Sequence, residues 1–283
     1  MNKNEFLKNK KDLLKTISII ILLIFIIFSS FLSLPIFLCG TSEDFDNIKE
    51  DDLELISIKS SNGYIFINNL DYKHLGLISW EEAIEEGMCF GSGTALDPYI
   101  IANLVIDVNG SGSGIIITNS DFYFRIENCT IKNSGTGSYD AAITLFYTNY
   151  GDIRRNNLSM NNRSGIVLYR SHYNNIAENN LSCNRYSLFI RYSQNNTFSD
   201  NLISNNIIAF DLYECDNNIM SSNFLSKNIH GMMLFDSNNN IILKNKVNES
   251  YDGFIIWNSK KNRIIQNNIK FNDNYGIHLI NSS

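Results

Sequence analysis

Three residues of this chain have types that could do acid–base chemistry on one surface: Arg191, Asp211 and His278. A calcium-dependent lyase would need clustered carboxylates with a basic residue, and an inverting glycosidase would need a pair of carboxylates. No aspartate pair lies on one strand of the repeats that follow, so these three residues remain as the weak catalytic candidates. Whether they can meet depends on the fold that carries them.

A repeat of about 22 residues carries these positions, and it extends over residues 150–282. A fixed period of this length indicates structural units that stack on one another. One asparagine marks each unit, with spacings of 23, 22, 22, 22 and 22 residues. The marking residues are Asn156, Asn179, Asn201, Asn223, Asn245 and Asn267.

The apolar residues of each unit lie two positions apart in short runs, as Ile166 and Leu168 do. This spacing is typical of strands, in which alternate side chains share a face. A leucine-rich repeat has a similar period, but it needs a helical return, and the second half of these units is rich in Asn, Ser, Ile and Val. The sequence therefore predicts an all-β fold, a right-handed, single-stranded parallel β-helix.

The repeated asparagine has a physical reason in such a solenoid. Asparagine tolerates unusual backbone angles at turns, and identical amides one strand spacing apart can hydrogen-bond along the stack. The sequence therefore predicts a structural asparagine ladder rather than a ligand site.

The repeated pattern Asn-x-Ile-x-x-Asn-x-Ile-x-x-Asn, followed by Gly-Ile-x-Leu-x-x-Ser, occurs for example in residues 262–282. It resembles the parallel β-helix repeat of the carbohydrate-binding and sugar-hydrolase superfamily, which includes pectate-lyase-like solenoids and the periplasmic NosD-like proteins. The resemblance covers residues 91–283 and implies the fold. It implies little about chemistry, because that scaffold carries lyases, hydrolases, epimerases and plain binding proteins.

The NosD-like resemblance also suggests copper, which would require grouped His, Met or Cys side chains. His230, Met232 and Met233 are close in sequence, but Met232 falls in a core column and the four histidines are scattered. We therefore predict no metal site and no cofactor. The five cysteines are odd in number and widely spaced, so they indicate no disulfide framework.

The beginning of the chain reads as a membrane-targeting segment. Residues 1–15 are basic, residues 16–40 are uncharged and long enough to cross a bilayer, and residues 41–52 form an acidic linker. This pattern favours a single-pass signal anchor with a cytoplasmic N-terminus and an extracellular β-helix. The alternative is a cleaved signal peptide, with cleavage near residues 39–42, which would release a secreted protein.

Residues 53–90 are predicted to cap the solenoid. Residues 55–58 and 64–67 resemble a hairpin, and residues 79–86 resemble a short helix capped by Ser79. Residues 91–283 then form a β-helix of about eight coils, interrupted by a side loop at residues 135–140. A cap is expected because an open end would expose core side chains and unpaired strand edges.

One outward face departs from the polar character expected of a solvated surface. If Ile166 and Leu168 point inward, the neighbouring positions of successive coils form an apolar, aromatic strip. Such a strip could stack sugar rings or contact a protein partner, although aromatic residues also simply pair down a stack of strands. The predicted ligand-binding residues are Tyr169, Phe189, Tyr213, Phe235 and Trp257.

These observations favour an exported, membrane-anchored β-helix that binds a polysaccharide or cell-surface glycan through the strip. A polysaccharide lyase or hydrolase using Arg191, Asp211 and His278 is the first alternative. A surface adhesin or structural assembly protein is the second. The formal net charge of −6 argues against a nucleic-acid partner.

Overall fold

The structure is a computed structural model that describes residues 65–68 and 78–283. The predicted anchor at residues 16–40, the linker at residues 41–52 and the first predicted hairpin strand at residues 55–58 lie outside the described residues. Within the described ranges, no helix is long and apolar enough to cross a membrane.

The described chain folds as an all-β parallel solenoid of about eight coils, built from three long sheets with strands numbered in chain order. Sheet A contains β1 (Ile65–Asn68), β4 (Ile115–Ser120), β7 (Ala141–Thr148), β9 (Ser164–Tyr169), β12 (Tyr186–Arg191), β15 (Ile208–Tyr213), β18 (His230–Phe235), β21 (Asp252–Trp257) and β24 (Ile277–Ile280). Sheet B contains β2 (Tyr99–Ala102), β5 (Phe124–Glu127), β8 (Gly151–Arg154), β10 (Asn175–Ala177), β13 (Thr197–Ser199), β16 (Ile219–Ser221), β19 (Ile241–Leu243) and β22 (Arg263–Ile265). Sheet C contains β11 (Asn180–Ser182), β14 (Leu202–Ser204), β17 (Phe224–Ser226), β20 (Lys246–Asn248) and β23 (Asn268–Lys270), and single bridges through Asn157 connect it to the pair β3 (Val105–Asp107) and β6 (Thr130–Lys132).

Each strand pairs in parallel with its counterpart one coil away, so residues one period apart lie side by side. This register stacks the predicted inward columns into one continuous core. Burial of each such side chain contributes roughly 1.5–3 kcal/mol, which offsets the entropy of ordering the coil. One column, at 0% exposure throughout, consists of Ile166, Leu188, Phe210, Met232 and Phe254.

The coils turn at residues in the left-handed backbone region. In the coil that begins at Tyr173, these residues are Tyr173, Glu178, Cys183 and Tyr192, with φ between 53° and 57°. Successive coils repeat the same four turns at equivalent positions. The left-handed conformation costs a non-glycine residue roughly 1–2 kcal/mol, so other interactions must stabilise every turn.

A buried polar residue directly follows each of these turns. The Oδ1 atom of Asn201 accepts two hydrogen bonds from Asn179, one from the backbone N–H at 3.0 Å and one from the side-chain Nδ2 at 3.1 Å. The Nδ2 of Asn201 donates to the carbonyl oxygen of Ile176 at 2.9 Å and to Oδ1 of Asn223 at 2.9 Å. The same links join the marking asparagines in sequence from Asn156 to Asn267.

Two further asparagine ladders occupy other corners of the coil. Asn174 Nδ2 donates to Asn196 Oδ1 at 3.2 Å, and Asn206 Nδ2 donates to Asn228 Oδ1 at 2.9 Å. At the fourth corner, serine side chains accept backbone N–H groups, as Ser193 Oγ does from Ser171 at 3.0 Å. The amides therefore satisfy buried backbone groups that strand pairing leaves open at the turns.

The N-terminal side of the solenoid is covered by the helix α1 (Trp80–Glu85), which lies where a short helix was predicted. Ser79 caps it, because Ser79 Oγ accepts the N–H of Glu82 and Glu82 Oε2 accepts the N–H of Ser79. Trp80 is fully buried, stacks on Tyr99 at 4.5 Å, and donates from Nε1 to Ser120 Oγ.

The structure describes one strand of the predicted hairpin, β1, and the predicted partner at residues 55–58 lies outside the described residues. Strand β1 pairs in parallel with β4 on one side and forms a parallel bridge from Ile67 to Ile78 on the other. The prediction of a strand at this position is confirmed, and the hairpin itself stays a prediction.

We expect Asn201→Ala to lower the free energy of unfolding by about 2–4 kcal/mol, because it leaves the buried Asn179 N–H and Ile176 carbonyl without partners. Chemical denaturation followed by circular dichroism measures this change. Asn248→Ala, the same substitution on the outer side of β20, is the matched control and should change stability by about 0.5 kcal/mol or less. Equal effects of the two substitutions would contradict a ladder that stabilises the fold.

Candidate functional site

The outer face of sheet A carries the residues predicted to bind a ligand. Because the strands pair in register, each outward position forms a column with one residue per coil. The first column is Val167, Phe189, Asp211, Met233 and Ile255, and the second is Tyr169, Arg191, Tyr213, Phe235 and Trp257.

The predicted strip is not exposed along its whole length. Tyr169 and Phe189 are only 6% and 5% exposed, so the expectation that both face solvent is wrong. Tyr139 packs edge-on against them, with its ring centroid 5.5 Å from that of Tyr169 and 6.2 Å from that of Phe189. Tyr139 belongs to the side loop at residues 135–140, and no pattern in the sequence indicates that this loop folds back over the face.

The C-terminal part of the second column remains partly open. Tyr213, Phe235 and Trp257 are half-buried, and the rings of Phe235 and Trp257 lie 6.4 Å apart at a 38° tilt. Burial, with Glu214 next to it, raises the pKa of Tyr213 to about 12. Its hydroxyl is protonated at neutral pH and donates a hydrogen bond to the Glu214 carboxylate. We call Tyr213, Phe235 and Trp257 the aromatic column.

Arg191 and Asp211, two of the three catalytic candidates, form an ion pair with each other. Arg191 Nη2 donates to Asp211 Oδ2 at 2.8 Å, and Nη1 donates to the carbonyl oxygens of Ile190 and Asp211. The guanidinium also lies 3.7 Å from the ring centroid of Phe189. The side chains are 18% and 9% exposed, so this pair links two coils rather than presenting free groups to a substrate.

His278, the third catalytic candidate, lies far from that pair. It is in β24, three strands beyond Asp211 in the same column. Three strand spacings amount to roughly 14 Å, too far for one reacting atom to contact both groups. The structure therefore does not bring Arg191, Asp211 and His278 together.

A different histidine has a carboxylate partner that sequence reasoning missed. His230 Nδ1 lies 2.9 Å from Asp252 Oδ2, and Asp252 Oδ1 accepts from Asn274 Nδ2 at 2.9 Å. The His230 and Asp252 side chains are 7% and 0% exposed, so this pair also joins neighbouring coils within the protein. The signal was present in the sequence, because the two residues are 22 positions apart, which is one period.

The described residues do not fit a copper site. They contain no group of three or more His, Cys, Asp or Glu side chains that could hold a metal ion. Burial raises the pKa of Cys215 to about 12 and that of Cys89 to about 11, so neither thiol supplies a thiolate at neutral pH. Met232 is fully buried in the core, and His172 Nδ1 already accepts a backbone N–H from Gln194.

A protein-family model described as periplasmic copper-binding protein (NosD) matches residues 45–211 and 179–283. No curated protein sequence shows significant similarity to this chain.

Two solved structures of epimerases are similar at low identity. The first is a double mutant of the periplasmic alginate epimerase AlgG, with 15% identity, a TM-score of 0.36, and coverage of 60% of this chain and 62% of that chain. The second is the A-module of Azotobacter vinelandii mannuronan C-5 epimerase AlgE4, with 11% identity, a TM-score of 0.20, and coverage of 72% and 88%. This chain therefore spans less than two thirds of the length of the AlgG structure.

Removing one charge from the buried ion pair should lower the stability of the protein more than removing one charge from an exposed ion pair. Asp211→Asn should lower the free energy of unfolding by about 3 kcal/mol, because Arg191 loses its charged partner inside the protein. Glu249→Gln, which removes the exposed partner of Lys227 at 3.9 Å, should change it by less than about 1 kcal/mol. Thermal or urea denaturation compares the two, and an unchanged stability of Asp211→Asn would contradict the structural role.

Proposed function

The chain belongs to the NosD family of right-handed parallel β-helix repeat proteins, and we propose that this member binds a polysaccharide on its aromatic column. The observation that carries the proposal is the column itself. Three large aromatic side chains remain half-buried at one outward position of three adjacent strands, where a solvated β-helix face would carry polar residues.

The spacing of the column suits a polymer that runs along the solenoid axis. The strands that carry Tyr213, Phe235 and Trp257 are about 4.8 Å apart, so the three rings extend over roughly 10 Å. Aromatic rings bind the apolar faces of sugar rings, and the tilt between Phe235 and Trp257 offers two surfaces of different orientation to successive sugars.

Polar groups directly beside the column can bind sugar hydroxyls. Glu214, Asp236 and Asn258 follow the three aromatic residues, each with positive φ at the turn that ends its strand. Asn258 Nδ2 donates to Asp236 Oδ1, which fixes the orientation of both side chains. Aromatic surface next to a few oriented polar groups is the usual composition of a small-molecule binding site.

The proposal places the binding surface outside the cytoplasm. Its support is the basic flank at residues 1–15, followed by the uncharged segment at residues 16–40, together with a family whose description names the periplasm. In this proposal the segment anchors the β-helix to the membrane, or releases it if cleaved. Copper, which the family description also names, has no part in it, because the residues described above do not fit a copper site.

Trp257→Ala should weaken binding of a recognised polysaccharide by roughly 1 kcal/mol or more, because the largest ring of the column is lost. Titration calorimetry on the full-length chain, after a glycan array has identified the ligand, measures this loss. The control is Phe224→Ala, which removes a partly exposed aromatic ring from sheet C and should leave affinity unchanged.

Two outcomes would contradict the proposal. A folded wild-type protein that binds no glycan would exclude the polysaccharide and leave a protein partner as the occupant of the column. Equal affinity of wild type and Trp257→Ala would show that the glycan binds elsewhere.

A further inference from the structure

A second group of aromatic side chains lies at the corner between sheets A and B, on other coils. Tyr123, Tyr150 and Tyr173 stack in a row, with centroid distances of 5.0 and 5.7 Å and interplanar angles of 24° and 14°. Their exposed fractions are 40%, 36% and 56%. Three large rings thus stack side by side, and more than a third of each side chain stays in contact with solvent. We call them the tyrosine row.

Two members of the row occupy positions that disfavour tyrosine. Tyr150 and Tyr173 have φ values of 62° and 57°, in the left-handed region that bulky residues rarely adopt. At the same corner the next three coils carry Asn195, Asn217 and Asn239, the residue type that adopts this conformation most readily after glycine. Left-handed residues recur at every corner of the coils, so what sets this corner apart is the residue type, tyrosine in place of the asparagine of the following coils.

The row borders a groove of about 500 Å³, which is lined by Asp121, Tyr147, Asn149, Arg170, His172 and Tyr192. Within the lining, the Arg170 guanidinium lies 5.8 Å from the ring centroid of Tyr147 and 5.6 Å from that of Tyr192. The three tyrosines are not themselves lining residues, but Tyr150 and Tyr173 directly follow the lining residues Asn149 and His172 in sequence, so the row lies next to the groove.

A chain of hydrogen bonds connects several residues of the groove lining. Asn149 Nδ2 donates to Asp121 Oδ1 at 2.6 Å, and Asn149 Oδ1 accepts the backbone N–H of His172 at 2.7 Å. His172 Nδ1 accepts the N–H of Gln194 at 3.1 Å, so its proton resides on Nε2. Burial lowers the pKa of His172, which keeps the ring neutral at physiological pH. The groove lining thus combines a carboxylate acceptor, Asp121, with an N–H donor, His172.

We propose that this groove is a second binding site, which takes an uncharged, hydroxyl-rich sugar chain. Asp121 accepts and His172 Nε2 donates hydrogen bonds to sugar hydroxyls, while the tyrosine row contacts the apolar faces of the rings. One carboxylate and one guanidinium give the groove a formal charge of zero, which favours a neutral glycan over a polyanion. The groove uses no residue of the aromatic column, so this second site does not depend on ligand binding at the aromatic column.

The test uses the double variant Tyr150→Asn/Tyr173→Asn, which installs the residue that the following coils carry at this corner. Because asparagine favours the left-handed conformation, the melting temperature should stay equal or rise. Affinity for soluble neutral probes, a glucan, a xylan and a mannan, should fall about tenfold or more for the probe that wild type binds. Alginate serves as the anionic probe. Tyr275→Asn, at a tyrosine of similar exposure in the last coil, is the control and should bind as wild type does.

The outcomes separate this site from the aromatic column. If Trp257→Ala loses affinity while the tyrosine double variant keeps it, the groove proposal fails and the column stands. If the double variant loses affinity while Trp257→Ala keeps it, the groove stands alone. Stronger binding of alginate than of every neutral probe, or no binding of any neutral probe by folded wild type, would overturn the groove proposal.

Discussion

The structure depends on how buried backbone groups are satisfied at the corners of each coil. A parallel strand pairs its own N–H and C=O groups with the coils on either side, but a left-handed turn interrupts that pairing inside the solenoid. The asparagine after the turn resolves the problem, because its Oδ1 accepts an N–H from one coil and its Nδ2 donates to a carbonyl of another. Each amide is satisfied only when its neighbours are stacked in register, so a coil is stable as part of the stack and not alone.

The in-register stacking of the coils also determines how side chains are arranged on the outer surface. A residue type that recurs at one position becomes a column with a spacing of about 4.8 Å, and columns are the elements from which any site here is built. Charged residues of neighbouring coils pair, diagonally between two columns as Arg191 does with Asp211, or within one column as His230 does with Asp252. Aromatic residues cannot neutralise each other in this way, so rings that stay partly exposed offer contact surface to a ligand. A repeated column therefore suits recognition of a repeated polymer better than it suits a compact catalytic centre.

Much of the fold could be predicted from the sequence, because the 22-residue period, the strand alternation and the asparagine ladder are all local patterns that stacking preserves. Two kinds of information were missing. The side loop places Tyr139 over Tyr169 and Phe189. Its position depends on tertiary packing, and the repeat period contains no information about it. The tyrosine row was visible at period spacing, with Tyr150 and Tyr173 separated by 23 residues, but the exposure and stacking of its rings depend on tertiary packing that the sequence does not show.

Hydrogen exchange of individual backbone amides tests the central claim, that side-chain amides complete the hydrogen bonding of the corners. The N–H groups of Asn179, Asn201 and Asn223 each donate to the Oδ1 of the next asparagine. We predict that they exchange as slowly as the N–H groups of the central strands, since both open only when coils separate. Exchange as fast as in exposed loops would show that these corners are open in solution, and it would contradict the account.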